Sequence, residues 1–316
     1  MHDALMSENL HDLIMTHGVE KARELVAVDQ RHLVDIAAGM LADEETGRLG
    51  FSHAGFALTS LPHRSVTDSV WTREGHMVSL VVSSGPDRKG KIIGLPYGAK
   101  ARMILLYLQT QAIRNNSREV ELGPSMKSWM ANMGIARDAV GGMTYKLVTE
   151  QARRISSCRL TFFSQRDKLE LRQNGAFVDQ DVSLFSDFNG RQQLLWQETV
   201  TLNELFFRSL KQHPVPLAES ALRHIAGSSL AIDIYIWLAY RLHVLKGPVE
   251  VSWAALHRQF GTNCRRPSHL KPYFLEGLRL ALAVYPGARV DENGRKGIVL
   301  HPCRPPVSYI PGIGRI

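Results

Sequence analysis

Leu95–Phe163 reads LPYGAKARMILLYLQTQAIRNNSREVELGPSMKSWMANMGIARDAVGGMTYKLVTEQARRISSCRLTFF. The turn Leu95-Pro96-Tyr97-Gly98 opens it. Ala101, Ile104, Leu105, Leu108, Ala112 and Ile113 then recur near a 3.6-residue period, which predicts a helix over Ala99–Asn115 with one buried stripe. Lys100 and Arg102 of that helix are expected in solvent. Arg118–Gly123 alternates like a short strand. Pro124 and Ser125 start a second helix, Met126–Met133, which Gly134 closes. A turn through Gly141 and Gly142 leads to a third helix, Met143–Ser157, and Arg159–Phe163 resumes as strand. Two short helices joined by a turn and followed by β-structure form the core of a winged helix-turn-helix. Lys127, Arg137, Thr144, Lys146, Gln151, Arg153 and Arg154 are its polar candidates for a sugar–phosphate backbone.

The pattern recurs further on. Asn203–Leu210 is a short helix capped by Asn203 or Thr201, and Pro214 and Pro216 punctuate the chain as a domain boundary. Leu217–Ile225 is expected as helix. Ser228–Leu245 is expected as helix too, with Ile232, Ile236, Trp237, Tyr240 and Val244 as its buried stripe. Val249–Ser252 is a brief strand, and Ser252 can cap Trp253–Phe260, which Gly261 ends. Pro267 and Ser268 begin the helix that runs to about Val284, with Leu270, Phe274, Leu278 and Leu282 inward. Its entry concentrates donors: Arg265, Arg266, Ser268, His269, Lys271 and Tyr273. Arginine and lysine fit guanine O6/N7 or phosphate, and a recognition helix meets base edges with its N-terminal residues. A hairpin follows around Asn293-Gly294, and Arg295-Lys296 at its tip has the chemistry of a wing lying on phosphates.

The segments LPYGAKARMILLYLQTQAIR, REVELG and QARRISSCRLTFF, in that order, resemble the plasmid-encoded RepA family of replication initiators. The likeness runs from about Phe51 to about Pro302. It implies a sequence-specific binder of repeated double-stranded origin sites (iterons) that acts without cofactor, in the cytoplasm of a plasmid-bearing bacterium. It also implies a homodimer in equilibrium with monomer, a dimer contact in the N-terminal winged unit, and recruitment of host initiator and replicative helicase. The expected fold is α+β, mainly helical: two tandem winged-helix domains with an N-terminal helical extension. The expected boundaries are 1–50 for the extension, 51–213 and 214–304 for the two winged units, and 305–316 for a proline- and glycine-rich tail. A winged-helix transcriptional regulator without origin function predicts the same DNA contacts.

Charge placement agrees with a polyanionic partner. Residues 1–90 hold 8 Lys+Arg and 13 Asp+Glu, a net of −5; the remaining 30 basic and 17 acidic residues give residues 91–316 a net of +13, for the total of +8. A field of that sign concentrates nucleic acid. Other classes are less well served. No H-E-x-x-H, no H-x-H and no C-x-x-C occurs, so neither a metal site nor a His-x-His nuclease is legible, and no catalytic residues are assigned. Cys158, Cys264 and Cys303 stand far apart, as reduced thiols do. Gly85-Pro86-Asp87-Arg88-Lys89-Gly90-Lys91-Ile92 matches G-x-x-x-x-G-K, but Ile92 replaces the Mg²⁺-binding hydroxyl, and Pro96 follows too soon for a helix. The stretch is expected as a basic hairpin or linker.

The first residues do not read as a secretory signal, and Leu230–Leu245 is too short and too charged to span a bilayer, so no membrane role is expected. Glu8–Asp43 has helical periodicity with breaks or caps at Gly18 and Gly39; it reads as a docking helical pair or flexible extension, with partner binding as the alternative. Phe51–Val82 turns to short β-like runs. Beyond Phe163, β-like pieces run over Leu169–Arg172, Phe177–Phe188 and Leu194–Leu202, with turns at Asn174-Gly175 and Asn189-Gly190.

Overall fold

The structure is a computed structural model, and it describes residues 10–43, 48–75, 78–135, 141–166, 169–179, 185–187, 194–196, 198–261 and 266–307. The fold is α+β. Two units divide it: one is Phe51–Pro214, and the other joins Met1–Gly50 to Val215–Arg315.

The chain begins with three helices, Leu10–His17 (α1), Val19–Leu25 (α2) and Arg31–Ala42 (α3). Gly18, in the left-handed region at φ +77°, separates the first two. Gly39 does not break α3; it lies inside it, and an added Cβ would sit 2.7 Å from the His224 ring. The glycine serves close approach, a tertiary demand that a local breaker rule misreads. Leu49–His53 (β1) follows. Helix Ala54–Leu58 (α4) interrupts the expected β-like run, because the His53 ring accepts the Gly55 N–H through Nδ1 and so caps a helical turn.

Val70–Glu74 (β2) and Val78–Ser83 (β3) then pair antiparallel, and Gly98–Arg114 (α5) forms the axis of the Phe51–Pro214 unit. The predicted stripe of α5 is buried, with Ile113 at its margin, but Met103, Leu106, Gln109 and Thr110 are buried too. The extra faces are covered because β1 hydrogen-bonds across them. Phe51 N–H donates to Thr110 Oγ1 and His53 N–H to Gln109 Oε1. Arg102, expected in solvent, is buried. Its guanidinium donates to the carbonyls of Leu61, Pro62 and Gly98 and contacts His63 Nδ1 at 3.3 Å. A buried guanidinium is tolerable because its donors are satisfied. Lys100 is half-buried, and desolvation lowers its pKa.

Glu119–Glu121 (β4) leads to Met126–Asn132 (α6), whose cap Ser125 accepts the Ser128 N–H. Gly142–Ser157 (α7) follows, then the hairpin Arg159–Arg166 (β5) and Leu169–Ala176 (β6). Asn174 and Gly175 are not a turn: they pair with Thr161 and Leu160 inside the hairpin. The second expected turn, Asn189-Gly190, lies outside the described residues. Phe185–Asp187 (β7) pairs with Leu194–Trp196 (β8), and Thr199–Thr201 (β9) pairs with β4. Asn203 caps Glu204–Gln212 (α8), accepting from Leu205 N–H and Phe206 N–H. Beside β2–β3 the hairpin completes a four-stranded sheet ordered β2-β3-β5-β6. The core beneath gathers Leu95, Ile104, Leu108, Leu122, Trp129, Met130 and Phe177.

Pro214–Ala218 (β10) pairs with β1. Leu217 and Ala218 are therefore strand, and the expected helix shrinks to Glu219–His224 (α9); pairing with a distant segment overrides local preference. Ser229–Arg241 (α10) is capped by Ser228 and is buried nearly all round, while Val244, expected inside, is 56% exposed beyond its end. Val249–Ser252 (β11), Trp253–Phe260 (α11), Pro267–Ala283 (α12), Val290–Asn293 (β12) and Gly297–Leu300 (β13) complete the unit, with sheet order β11-β13-β12. Ser252 caps α11 by accepting the Ala255 N–H. The N-terminal helices pack in this same unit: Ile14, Ala22, Leu33, Val34 and Ala37 cluster with Ala283 of α12, and His11 Nε2 bonds the Ala283 carbonyl at 2.9 Å. They pack against the far end of α12, while Arg266–His269 at its start are exposed.

Candidate nucleic-acid interface

At the open end of α12, Arg266 is the extended cap residue (φ −133°, ψ 149°), and Pro267 occupies the first helical position, where a missing N–H costs nothing. Arg266, Ser268 and His269 are exposed, and Tyr273 is 57% exposed. The first turn holds no acidic side chain, so no residue of that turn offsets the positive end of the helix dipole. Pro272 sits inside the helix, in its second turn, also exposed. Leu270, Phe274, Leu275 and Leu278 anchor the opposite face; Leu282 is only half-buried. Arg265 lies outside the described residues.

The hairpin β12–β13 stands beside this end. Its turn is closed by the Lys296 N–H donating to the Asn293 carbonyl at 2.9 Å, and Arg295 and Lys296 are exposed at the tip. Three side chains hold that tip. Trp253 donates its indole N–H to the Gly294 carbonyl at 3.1 Å, while its backbone N–H donates to the Lys296 carbonyl. Asn293 donates to the Glu250 carboxylate at 3.1 Å. Lys271 pairs with Glu292, donates to the Gly294 carbonyl at 3.2 Å and lies 5.6 Å over the Trp253 ring. Of the residues expected to reach DNA, Lys271 is thus turned onto the hairpin. It is a strut between α12 and the tip, and Arg295 and Lys296 are what the strut presents.

The Phe51–Pro214 unit offers a second cationic helix face. Lys146 and Arg153 are seven residues apart on α7, two turns, and so share one exposed side. Met143, Tyr145 and Leu147, at 70%, 43% and 39% exposure, stand in its first turns and are not among the residues expected at the interface from their charge. Their signal in the sequence was an apolar set out of phase with Val148, Ala152 and Ile155, the buried stripe. Lys127 is exposed on α6, and Thr144 is half-buried. Arg137 lies outside the described residues.

Two of the polar candidates face inward. Arg154 donates to Glu150 at 2.7 Å and to the Leu95 carbonyl at 2.9 Å, and lies 5.1 Å over the Tyr97 ring. Gln151 is buried and accepts the Tyr97 N–H through Oε1. Both lock the turn Leu95–Tyr97 to α7. Neither is presented to a ligand.

Among the described residues, no group of three His, Cys, Asp or Glu is placed to hold a metal ion, and no helix is long and apolar enough to cross a membrane. Cys158 and Cys303 are free thiols, with burial pushing the Cys158 thiol up to about 12; Cys264 lies outside the described residues. The loop Gly85–Ile92 contains no helix at Lys91; Pro86 and Ile92 bridge across it, so it has no phosphate-facing helix N-terminus.

A family model described as plasmid encoded RepA protein matches residues 95–254. Among solved structures, the chain is similar to domains 2 and 3 of RctB, with 10% sequence identity and a TM-score of 0.47 over 71% of this chain and 82% of that one. No curated protein matches the chain.

Proposed function

This chain belongs to the plasmid-encoded RepA family of replication proteins, and from that premise we propose that it initiates plasmid replication by binding repeated origin sites (iterons) in double-stranded DNA. It does so as a binder and not as an enzyme, without cofactor, in the bacterial cytoplasm. Each unit acts as a winged helix, and the second reads sequence. One observation carries this reading. The open end of α12, with Arg266, Ser268 and His269, stands beside a hairpin whose tip presents Arg295 and Lys296. Helix–strand–helix–helix–hairpin, with the first strand paired to the last, is the order a winged helix needs. In the first unit α5, β4, α6, α7 and β5–β6 repeat that order, but β4 pairs with β9 and the hairpin joins β3. The first unit contributes backbone contacts through Lys127, Lys146 and Arg153.

A homodimer in equilibrium with monomer is consistent with the edge strand β2 of the sheet β2-β3-β5-β6, which pairs on one side only among the described residues and carries Val70 at 51% exposure. Recruitment of host initiator and replicative helicase, and opening of neighbouring DNA, complete the role. The test is a mobility-shift titration of the purified chain on its plasmid's origin fragment and on a scrambled fragment of equal length, across a salt series. A large preference for the origin, with a ladder of shifted species, is expected. Equal and steeply salt-dependent binding to both fragments would refute iteron recognition, and loss of binding to both would refute the DNA role.

A further inference from the structure

The loop Gly85–Ile93, between β3 and α5, is a built element without a task in the scheme above. Backbone hydrogen bonds across the loop hold its shape. Asp87 N–H donates to the Lys91 carbonyl at 2.7 Å, Gly90 N–H to the Asp87 carbonyl at 2.9 Å, and Ile93 N–H to the Gly85 carbonyl at 3.1 Å. The Asp87 carboxylate accepts the N–H groups of Lys89 and Lys91 at 2.8 and 2.9 Å, so the loop's one acid is spent holding its own turn. The Lys91 amide is the foremost cause that keeps the Asp87 carboxyl below its ordinary pKa. With the acid turned in, Arg88, Lys89 and Lys91 stand exposed around Gly90, whose φ is +78°.

The loop is also fixed to α7. Gly85 N–H donates to the carbonyl of Ser157, the last residue of that helix, at 3.0 Å. Asp87 lies 3.9 Å from the Arg153 guanidinium, on the side of α7 that carries Lys146. A parallel with the other unit gives this meaning. There the cationic tip Arg295-Lys296 follows the candidate reading helix as a hairpin. Here the hairpin after α7 is paired to β3 within the sheet. Among the described residues, the cationic tip placed against α7 comes from the preceding loop.

We propose that Gly85–Ile93 is a further phosphate-contacting element of the first unit, with Lys89 and Lys91 lying beside Arg153 along one stretch of duplex sugar–phosphate backbone. This rests on the DNA-binding reading and gives a task to a stretch that the sequence pattern marks only as a basic hairpin or linker. The contact is independent of base sequence, since ammonium groups on phosphates position a protein without reading it.

The experiment uses the full chain and a fluorescein-labelled random-sequence duplex, titrated by anisotropy at several salt concentrations. The variant K89Q/K91Q keeps both backbone N–H groups that Asp87 needs. The control K21Q/K211Q removes the same charge elsewhere. Each neutralised phosphate contributes about 0.9 to the slope of log affinity against log salt, so the loop variant is expected to lose about 1.8 from that slope. The control is expected to match the parent. An unchanged slope in K89Q/K91Q would overturn the loop's assignment while leaving the parent's DNA binding intact. Equal losses in both variants would overturn it too, by showing net charge at work in place of a site. No salt-dependent binding by the parent would overturn the DNA reading itself, and this inference with it.

Discussion

Acid should loosen the Phe51–Pro214 unit through His53. This ring is buried among Phe56, Phe162, Phe206 and His213, stacked on Phe162 with centroids 5.0 Å apart. Its Nδ1 accepts the Gly55 N–H, and its Nε2 bonds Ser209 Oγ at 2.7 Å. Burial, and then the neighbouring His213, lower its pKa from 6.5 to about 3. The unfolded chain therefore binds a proton more readily than the folded one. The stability this contributes is full above the unfolded value near 6.5 and is lost as pH falls toward 3. At about pH 5 the loss is about 1.36 × (6.5 − 5), or roughly 2 kcal/mol. His53→Asn keeps a capping acceptor and cannot titrate, so it should cost about 1–3 kcal/mol at neutral pH and then fall no further on this account. His11 and His63, whose pKa values burial also lowers, remain in both proteins and cancel. Native-state amide exchange at Ile104 and Leu108, corrected for intrinsic rates, reads the opening free energy. The gap between parent and variant should narrow by roughly 2 kcal/mol between about pH 7.5 and about pH 5. A gap that stays constant would refute the assignment of the acid sensitivity to a neutral, buried His53.

The other predictions concern the interface. Arg266→Ala should cost about 1–3 kcal/mol on the origin fragment and much less on scrambled DNA, as mobility shifts on the two would show; equal losses would place Arg266 on phosphate. Lys296→Ala should weaken both fragments alike and lower the salt slope by about one, measured by anisotropy across salt. Lys271→Met should behave differently: affinity drops by about two- to fivefold, the scale of a partly exposed ion pair, with the slope unchanged. Its structural readout needs no DNA: amide exchange at Lys296 should quicken and the Trp253 indole N–H resonance should shift. A slope reduced by about one would make Lys271 a phosphate contact after all.

The local elements were legible from the residues because their causes are local. Ser125, Asn203, Ser228 and Ser252 sit at helix starts and each accepts an N–H two or three residues on. The apolar spacing of Gly98–Arg114 and Pro267–Ala283 marks two helices, and Asn293-Gly294 marks the hairpin between β12 and β13. The lack of a helix starting at Lys91 was equally readable, since Pro96 follows too soon for one.

Which way a cation faces was not legible. Arg102, Arg154 and Lys271 have the composition of surface residues, yet each is drawn inward by carbonyls or a carboxylate from segments distant in sequence. The same holds for Pro214–Ala218, made strand by pairing with β1, and for Gly39, required by the His224 ring. The sequence by itself determined the order of helices and strands and the unequal division of charge, because propensity, capping and periodicity act within a few residues. Tertiary structure alone decided which charges are struts and which stay exposed, because a long side chain settles wherever distant backbone groups leave hydrogen bonds to be made.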